Sequence, residues 1–264
     1  MINRILLKST TAKRQRLDQL PSLSAIEAER YFQQQKIEHI WSSNAIEGNT
    51  LSYHETRVLL TQGITIGAKP LVDYIEALDL SIAYDNAMTL AAGAEPLTTQ
   101  EICSINHLVL QREFDDPNIA GTYRSEPVQP AGVPEVKYAQ PREIPEKMQA
   151  LAQWLKDNAT QMTPVELAAQ LHQKFVTIHP FIDGNGRTAR LLLNYILVCH
   201  GYPVVNIMPD PQAREAYMTA LMHSQVDNNP DDFINLIAHY TDEALDEMIK
   251  ILELLEKNIR DSRQ

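Results

Sequence analysis

Cysteine, glycine and aromatic residues are scarce in this sequence, and long apolar runs are absent. The two cysteines, Cys103 and Cys199, lie far apart in apolar segments and do not form a metal or redox spacing. We therefore expect two buried thiols in a reducing compartment. No stretch approaches the roughly 18 apolar residues that a membrane helix requires, and the short apolar run at the N-terminus does not resemble a signal peptide. The sequence predicts a soluble, cytoplasmic protein that does not bind membranes.

Positive charge is also in short supply. The chain has 34 acidic residues against 23 lysines and arginines, which gives a net charge of −11. Nucleic-acid binding requires a basic surface, so we expect no nucleic-acid partner, and any phosphate site must be local. The 264 residues, of which 44% are hydrophobic, suffice for one large domain or for a core with an appended subdomain.

Signals that start helices recur along the chain. Four segments have the form of a capping box, in which a serine or threonine is followed three residues later by glutamate; they begin at Ser24, Ser52, Thr98 and Thr163. Each precedes apolar residues at helical spacing. The sequence therefore predicts an all-α chain, with helices near 24–47, 53–62, 71–92, 99–112, 145–158, 164–178, 187–200, 211–226 and 231–258.

Two regions depart from this pattern. Residues 120–145 contain five prolines and two glycines, and proline is excluded from helix interiors. We predict a loop with a short β-hairpin there, as a candidate substrate-docking element, although a plain connector remains an alternative. Residues 1–20 are basic and polar, and we expect part of this segment to be disordered.

The most informative stretch runs from His179 to Arg190 and reads His-Pro-Phe-Ile-Asp-Gly-Asn-Gly-Arg-Thr-Ala-Arg. A Gly-Asn-Gly turn that opens a helix forms an anion-binding nest at the positive end of the helix dipole. Arg187 and Arg190 are three residues apart and share one helix face. Two guanidiniums beside an anion nest suit a polyphosphate.

Two other residues of this stretch carry distinct chemistry. Asp183 supplies a hard oxygen ligand of the kind that Mg²⁺ takes when it bridges phosphates. His179 has a side chain whose ordinary pKa suits a general base at neutral pH. Each residue alone has an ordinary structural interpretation, such as a turn or a solvated helix face. Their combination in one short loop favours phosphate chemistry.

This stretch resembles the signature of the Fic (filamentation induced by cAMP) family, His-Pro-Phe-x-Asp/Glu-Gly-Asn-Gly-Arg-x-x-Arg, and fills every fixed position. The resemblance extends over roughly residues 37–245. It implies a Fic helical core with a small flap β-hairpin, and a protein adenylyltransferase that transfers AMP from ATP to a Ser, Thr or Tyr hydroxyl of a target protein.

The resemblance also assigns roles to the residues of the loop. His179 would deprotonate the target hydroxyl, and Asp183 would hold Mg²⁺ or Mn²⁺. Arg187 would bind the β-phosphate and stabilise the leaving pyrophosphate, while Arg190 would bind the γ-phosphate. The remaining phosphate contacts would come from Gly184, Asn185 and Gly186, with Asn185 also counted as catalytic.

A second motif of the family precedes the core. Ser43 and Glu47 are four residues apart on one helix face, followed by Gly48. By composition this is only a surface glutamate before a helix end, but it matches the Ser/Thr-x-x-x-Glu-Gly/Asn motif of Fic proteins with an N-terminal inhibitory helix. The resemblance implies that Glu47 pairs with Arg190 and blocks the γ-phosphate position. Relatives also use this glutamate to remove AMP from targets, and the sequence leaves both roles open.

The remaining expectations concern boundaries and partners. We divide the chain into an N-terminal helical region, 1–92, with the inhibitory helix at about 24–47, and a catalytic core, 93–258, with the flap at about 124–141. The target would dock at this flap by strand addition. Tyr217 is the candidate for adenine contact, with a core aromatic as the alternative, and Ser224 and Gln225 stand where the family often has asparagine. A homodimer is one option for the oligomeric state.

Alternatives from other classes stay open as well. A deAMPylating hydrolase that uses Glu47 is one, and a non-enzymatic regulatory nucleotide-binding module is another. Relatives that phosphorylate their targets typically lose a loop glycine. Because Gly184 and Gly186 are both present, the loop favours nucleotidyl transfer over a kinase.

Overall fold

A computed structural model describes residues 1–113, 116, 118–129 and 135–261, apart from the side chain of Ile259. The regular secondary structure of its described residues is entirely helical, with no β-strand, which confirms the predicted all-α class. No helix among them is long and apolar enough to span a bilayer. The helices are α1 (Arg4–Leu17), α2 (Ala25–Ile46), α3 (Tyr53–Gln62), α4 (Leu71–Ala92), α5 (Thr99–Leu110), a 3-10 helix (Pro141–Glu143), α6 (Ile144–Asn158), α7 (Pro164–Ile178), α8 (Asn185–Cys199), α9 (Pro211–Val226) and α10 (Asp231–Asp261).

The helix boundaries follow the capping residues of the sequence. The side chains of Ser24, Ser52 and Thr98 each accept a hydrogen bond from the backbone N–H of the glutamate three residues later. The carboxylate of that glutamate in turn accepts a hydrogen bond from the backbone N–H of the serine or threonine. These reciprocal bonds satisfy backbone N–H groups that a helix N-terminus leaves without partners. At Thr163 only one of these two bonds forms, from the backbone N–H of Glu166 to the threonine side chain. The predicted starts of these four helices are therefore confirmed to within a residue.

The expectation of disorder near the N-terminus is wrong, because residues 4–17 form α1. Asn3 caps this helix by accepting a hydrogen bond from the backbone N–H of Leu6. Leu7 of this helix is 2% exposed, and Lys13 contacts Asp242 and Asp246 of α10, both at 2.7 Å. The positive charges that made this segment look disordered are the groups that pair it with the acidic helix α10.

The centre of the fold is the pair α7 and α8, which pack on each other and are joined by the loop at 179–184. Helix α8 also contacts α2, α4 and α5, and helix α7 contacts α1, α6, α9 and α10. Phe175 near the end of α7 and Phe181 within the loop are both fully buried. The loop is thus anchored in the core, while α2 brings its C-terminal end to the start of α8.

The flap hairpin is not seen in the described part of residues 124–141, of which 130–134 lie outside the described residues. Proline at 127 and at 141 removes backbone donors that a strand ladder would need. The two arms are joined instead by the buried guanidinium of Arg124, which donates to the carbonyls of Glu126 (2.8 Å) and Ala139 (2.6 Å). One side chain thus replaces the expected ladder. The division of the chain at residue 92 stays a prediction.

Candidate active site

The loop between α7 and α8 contains two residues in the left-handed conformation. His179 ends α7 with φ 51° and ψ 61°, and its N–H donates to the Phe175 carbonyl at 2.9 Å. A residue with a side chain pays roughly 1–2 kcal/mol for this conformation. Gly184 precedes α8 with φ 72°, and a Cβ there would lie 2.9 Å from the amide of Asn106. The reversal that presents His179 to the start of α8 therefore depends on a strained histidine and an obligatory glycine.

Asn185 braces the loop. Its side-chain amide donates to the Phe181 carbonyl at 2.9 Å and its oxygen accepts from the Phe181 N–H at 3.1 Å. The residue is 3% exposed. A second amide, from Asn106, donates to the Asp183 carbonyl at 3.1 Å. Sequence reasoning gave Asn185 a phosphate-binding role, which stays a prediction, and missed this bracing role, which no local pattern reveals.

His179 lies in an environment that keeps its imidazole neutral. Burial, helped by the positive charge of Arg124, lowers its pKa to about 4, against the opposing effects of the Val176 carbonyl and Glu47. The ring of Tyr138, from the flap, stacks on the imidazole with the centroids 3.8 Å apart and the planes 9° from parallel. At neutral pH His179 is therefore a proton acceptor, as a general base must be.

Arg190 meets the residues that the resemblance predicted for it. Its guanidinium contacts a carboxylate oxygen of Glu47 at 2.7 Å, and it donates to the Ser43 hydroxyl at 2.8 Å and to the Ser43 carbonyl at 2.9 Å. Burial would raise the pKa of Glu47, but Arg190 draws it below its ordinary value. The Arg190 side chain is 4% exposed and that of Glu47 is 39% exposed. An ionised carboxylate thus closes the open side of a buried arginine.

The same carboxylate lies against the first turn of α8. A Cβ atom added at Gly186 would overlap the Glu47 carboxylate. Helix N-termini attract anions through their free N–H groups and the helix dipole. Glu47 therefore lies against the turn of α8 at which the sequence predicts a phosphate.

Arg187 also has a carboxylate partner, which the sequence did not predict. Its guanidinium makes a two-pronged pair with Glu113, at 2.6 and 3.3 Å, and lies 3.7 Å from both Glu76 and Asp183. The side chains of Arg187 and Glu113 are 3% and 8% exposed. Burial raises the pKa of Glu113, and Arg187 opposes that rise. Arg187 and Arg190 of α8 are thus each paired with a glutamate that is distant in sequence: Glu113, which follows α5, and Glu47, which follows α2.

Asp183, the predicted metal ligand, is 59% exposed at the mouth of the loop, and one carboxylate oxygen accepts the Gly184 N–H at 2.5 Å. Within the described part of the chain, no group of three or more His, Cys, Asp or Glu side chains could hold a metal ion. A single exposed carboxylate suits Mg²⁺, which commonly takes one or two protein carboxylates and completes its shell with water and substrate phosphates.

Tyr217 is buried beside Arg190. It is 1% exposed, its hydroxyl lies 2.9 Å from Nε2 of His172, and Arg190 approaches it at 3.4 Å. Ser224 is also buried and donates to the Leu221 carbonyl. This position supports an internal role for Tyr217 in holding Arg190, and its predicted contact with adenine stays untested.

The sequence model of the Fic/DOC family matches residues 96–197. Among solved structures, a Fic domain containing signaling protein from Bacteroides thetaiotaomicron is 32% identical, with a TM-score of 0.83, and the alignment covers 94% of this chain and 98% of that one. Among curated proteins, the "protein adenylyltransferase Fic" of Nematostella vectensis is 34% identical over 245 residues, which are 91% of this chain and 55% of the relative. The protein of the same name from Drosophila ananassae is 36% identical over 248 residues, or 91% of this chain and 47% of that protein. The chain thus spans about half the length of these curated relatives.

Proposed function

Because the chain belongs to the Fic/DOC family, we propose that it is a protein adenylyltransferase, which transfers AMP from ATP to a Ser, Thr or Tyr hydroxyl of another protein. The observation that carries this proposal is the geometry of the loop. A neutral His179 and the buried guanidiniums of Arg187 and Arg190 flank the N-terminal turn of α8. This combines a base with an anion site for a leaving polyphosphate.

The reaction follows from these groups. His179 takes the proton of the target hydroxyl as its oxygen attacks the α-phosphorus of ATP, and the bond between the α-phosphorus and the bridging oxygen breaks. Pyrophosphate leaves with its charge stabilised by Arg187 at the β-phosphate and Arg190 at the γ-phosphate. The N–H groups of Asn185 and Gly186 contact phosphate oxygens at the positive end of α8. The Gly184 N–H, which donates to the Asp183 carboxylate at 2.5 Å, joins them once it leaves that carboxylate. Asp183 is the residue that would hold Mg²⁺ or Mn²⁺, which when bound would neutralise phosphate charge.

Glu47 keeps this site inactive in our proposal, so the protein belongs to the subclass with an N-terminal inhibitory helix. The 2.7 Å pair with Glu47 occupies Arg190, and the carboxylate would repel a γ-phosphate at the same place. Ser43 holds the guanidinium by two further bonds. Displacement of Glu47 would free Arg190 and allow ATP to bind with its α-phosphate aligned for attack.

The target segment would bind along the flap at 124–141. Arg124 links the two arms of the flap to the carbonyl of His179 at 2.8 Å, so a segment held on the flap would lie beside the base. Backbone pairing gives affinity with little side-chain selectivity, which suits an enzyme that modifies an exposed hydroxyl.

We further propose that the protein forms a homodimer through an exposed apolar face of α4. Leu71 and Val72 are 72% and 49% exposed, and Leu78 and Ile82 are 38% and 39% exposed. Leu71, Leu78 and Ile82 fall on one side of the helix, at a spacing of seven and four residues. Several large apolar side chains exposed on one side of a helix are typical of an interface, and a second copy offers the same side chains in a two-fold arrangement.

The test of the proposed activity uses ATP labelled on the α- or γ-phosphate, together with a cell lysate as a source of targets. We expect the Glu47→Gly variant to transfer label from the α-phosphate to protein, well above wild type, because Arg190 is then free. Label should disappear in Glu47→Gly/His179→Ala, since loss of the base costs about 10²–10⁴ in rate. Glu29→Gly, which removes an exposed carboxylate from the same helix, should behave as wild type.

Other outcomes would contradict specific parts of the proposal. Label from the γ-phosphate would make the protein a kinase. Equal labelling by wild type and Glu47→Gly would exclude inhibition by Glu47. If no form is labelled and the wild type instead removes AMP from a modified protein, the ionised Glu47 carboxylate acts on water and the enzyme is a deAMPylating hydrolase.

A further inference from the structure

The aromatic ring of Tyr138 is parallel to the imidazole of His179. The two centroids are 3.8 Å apart and the planes differ by 9°. A parallel stack covers one face of the imidazole and does not cover its edge. Nδ1 on that edge is buried, which leaves Nε2 as the nitrogen that can meet a partner in the ring plane. Tyr138 therefore restricts the orientation of the ring without occupying the position of a reacting hydroxyl.

Arg124 connects the two backbone segments that carry these rings. The guanidinium, in a residue that is 5% exposed, donates to the carbonyl of Ala139, the neighbour of Tyr138, at 2.6 Å, and to the carbonyl of His179 at 2.8 Å. The Arg124 backbone N–H donates to the Pro180 carbonyl at 2.9 Å. The backbone segments that carry the two stacked rings are thus held together by one buried side chain, Arg124.

We propose that Tyr138 is a positioning residue for His179: it fixes the plane of the imidazole and keeps water from one face of the ring. The inference rests on the proposed function of His179 as the base. Tyr138 would act through His179 and would not itself contact the reacting atoms. Correct orientation matters because a misplaced catalytic group can cost about 10²-fold in rate.

The stack has a measurable consequence for the titration of His179. The titratable and charged groups that face this imidazole are Arg124 and Tyr138 from the flap and Glu47 from the end of α2. Burial is the largest cause of the low pKa of about 4, and Tyr138 supplies part of that burial. Removal of its ring would admit water and move the pKa up towards the ordinary value of 6.5.

A titration by NMR tests this without reference to activity. Ring signals of His179, assigned by comparison with His179→Ala, are followed from pH 8 to pH 5 in wild type, Tyr138→Ala, Tyr138→Phe and Lys137→Ala. We expect no transition of His179 in wild type, in the Phe variant, which keeps the stack, or in Lys137→Ala, which alters the exposed neighbour. Tyr138→Ala should titrate within this window. A Tyr138→Ala protein in which His179 stays neutral down to pH 5 would overturn the inference.

Kinetics in the Glu47→Gly background give the second measurement. Tyr138→Ala should lower kcat for AMP transfer by about tenfold with the KM for ATP unchanged, because the ring orients the base and does not bind the nucleotide. Tyr138→Phe should restore kcat to within about threefold of the parent. Equal kcat in the parent and Tyr138→Ala, or no rescue by Phe, would contradict the positioning role. If the Glu47→Gly parent transfers no AMP at all, the proposed function fails, whereas the titration still decides the role of the stack.

Discussion

At the scale of single residues, Arg187 and Arg190 at the start of α8 are paired with carboxylates in different ways. Glu47 contacts Arg190 through one carboxylate oxygen, and its side chain is 39% exposed. Glu113 accepts hydrogen bonds from Arg187 with both carboxylate oxygens, and its side chain is 8% exposed. A phosphate that binds Arg187 must compete with this second, more buried carboxylate. In the proposed complex, ATP would therefore meet a competing carboxylate at two points, of which only one was predicted from the sequence.

We expect Glu113→Gln to tighten ATP binding about three- to tenfold, equivalent to about 0.7–1.4 kcal/mol. The amide keeps the shape of the side chain but removes the charge that competes with the β-phosphate for Arg187. The measurement is the Kd of a non-hydrolysable ATP analogue by calorimetry, in the Glu47→Gly background so that Arg190 is free. Glu146→Gln, an exposed change on α6, is the control. Weaker binding by Glu113→Gln would show that Glu113 orients Arg187 instead of blocking it.

The residues of the site differ in how far sequence alone could identify them. The segment 179–190 is a contiguous pattern whose chemistry is visible in the residues themselves. The Ser43–Glu47 motif is also contiguous, but only the resemblance gives it a role. The pair of Glu47 and Arg190, predicted by the resemblance, forms in the structure. Glu113 and Tyr138 belong to no such pattern, because they reach the site only through the folding of distant segments. Arg124 likewise looks like an ordinary surface arginine until the flap folds over it.

At the scale of elements, the helices were predicted correctly where capping residues and apolar periodicity agreed. The predictions for α1 and the flap were wrong because they rested on the composition of the segment. Reciprocal capping boxes start α2, α3 and α5 at the predicted positions. Helix α1 was missed because its charges suggested solvation, although they pair with α10. A short hairpin was predicted from the composition of residues 120–145, and the resemblance implied one as well. In the described part of the flap, the side chain of Arg124 joins the arms where proline weakens a ladder. Composition describes a segment in isolation, and both errors arose from contacts with other segments.

The contribution of α1 to stability can be measured at one buried side chain. Leu7→Ala should lower the free energy of unfolding by about 2–4 kcal/mol, since it removes apolar atoms from a fully packed contact and leaves a cavity. Leu7 is 2% exposed. The matched control on the same helix is Ile5→Ala, at a residue that is 83% exposed, and it should change stability by less than about 0.5 kcal/mol. Urea unfolding followed by circular dichroism gives both values; similar small losses for the two variants would mean that α1 adds little to the fold.

At the scale of the whole molecule, most of the other helices pack around α7 and α8, whereas Leu71, Leu78 and Ile82 on one side of α4 stay exposed. Helical spacing puts the exposed residues Leu71, Leu78 and Ile82 on the side of α4 opposite to the buried residues Leu80 and Ala87. Burying apolar surface stabilises by about 25 cal/mol per Å², so a second copy placed here would gain from an area that the monomer leaves in water.

We expect the protein to sediment as a dimer at micromolar concentration, with a mass near twice the 29.9 kDa of the chain. Leu71→Asp should shift it to the monomer, because a dimer would bring two copies of the new charge into an apolar contact and desolvate them. Leu254→Asp alters a side chain that is 62% exposed on α10, away from α4, and should leave the dimer intact. A wild type that stays monomeric across the concentration range would contradict the dimer. Dissociation by Leu254→Asp but not by Leu71→Asp would instead place the contact on α10. Because α4 carries Glu76, which lies 3.7 Å from Arg187, a contact on α4 would connect the dimer to the phosphate site through a single helix.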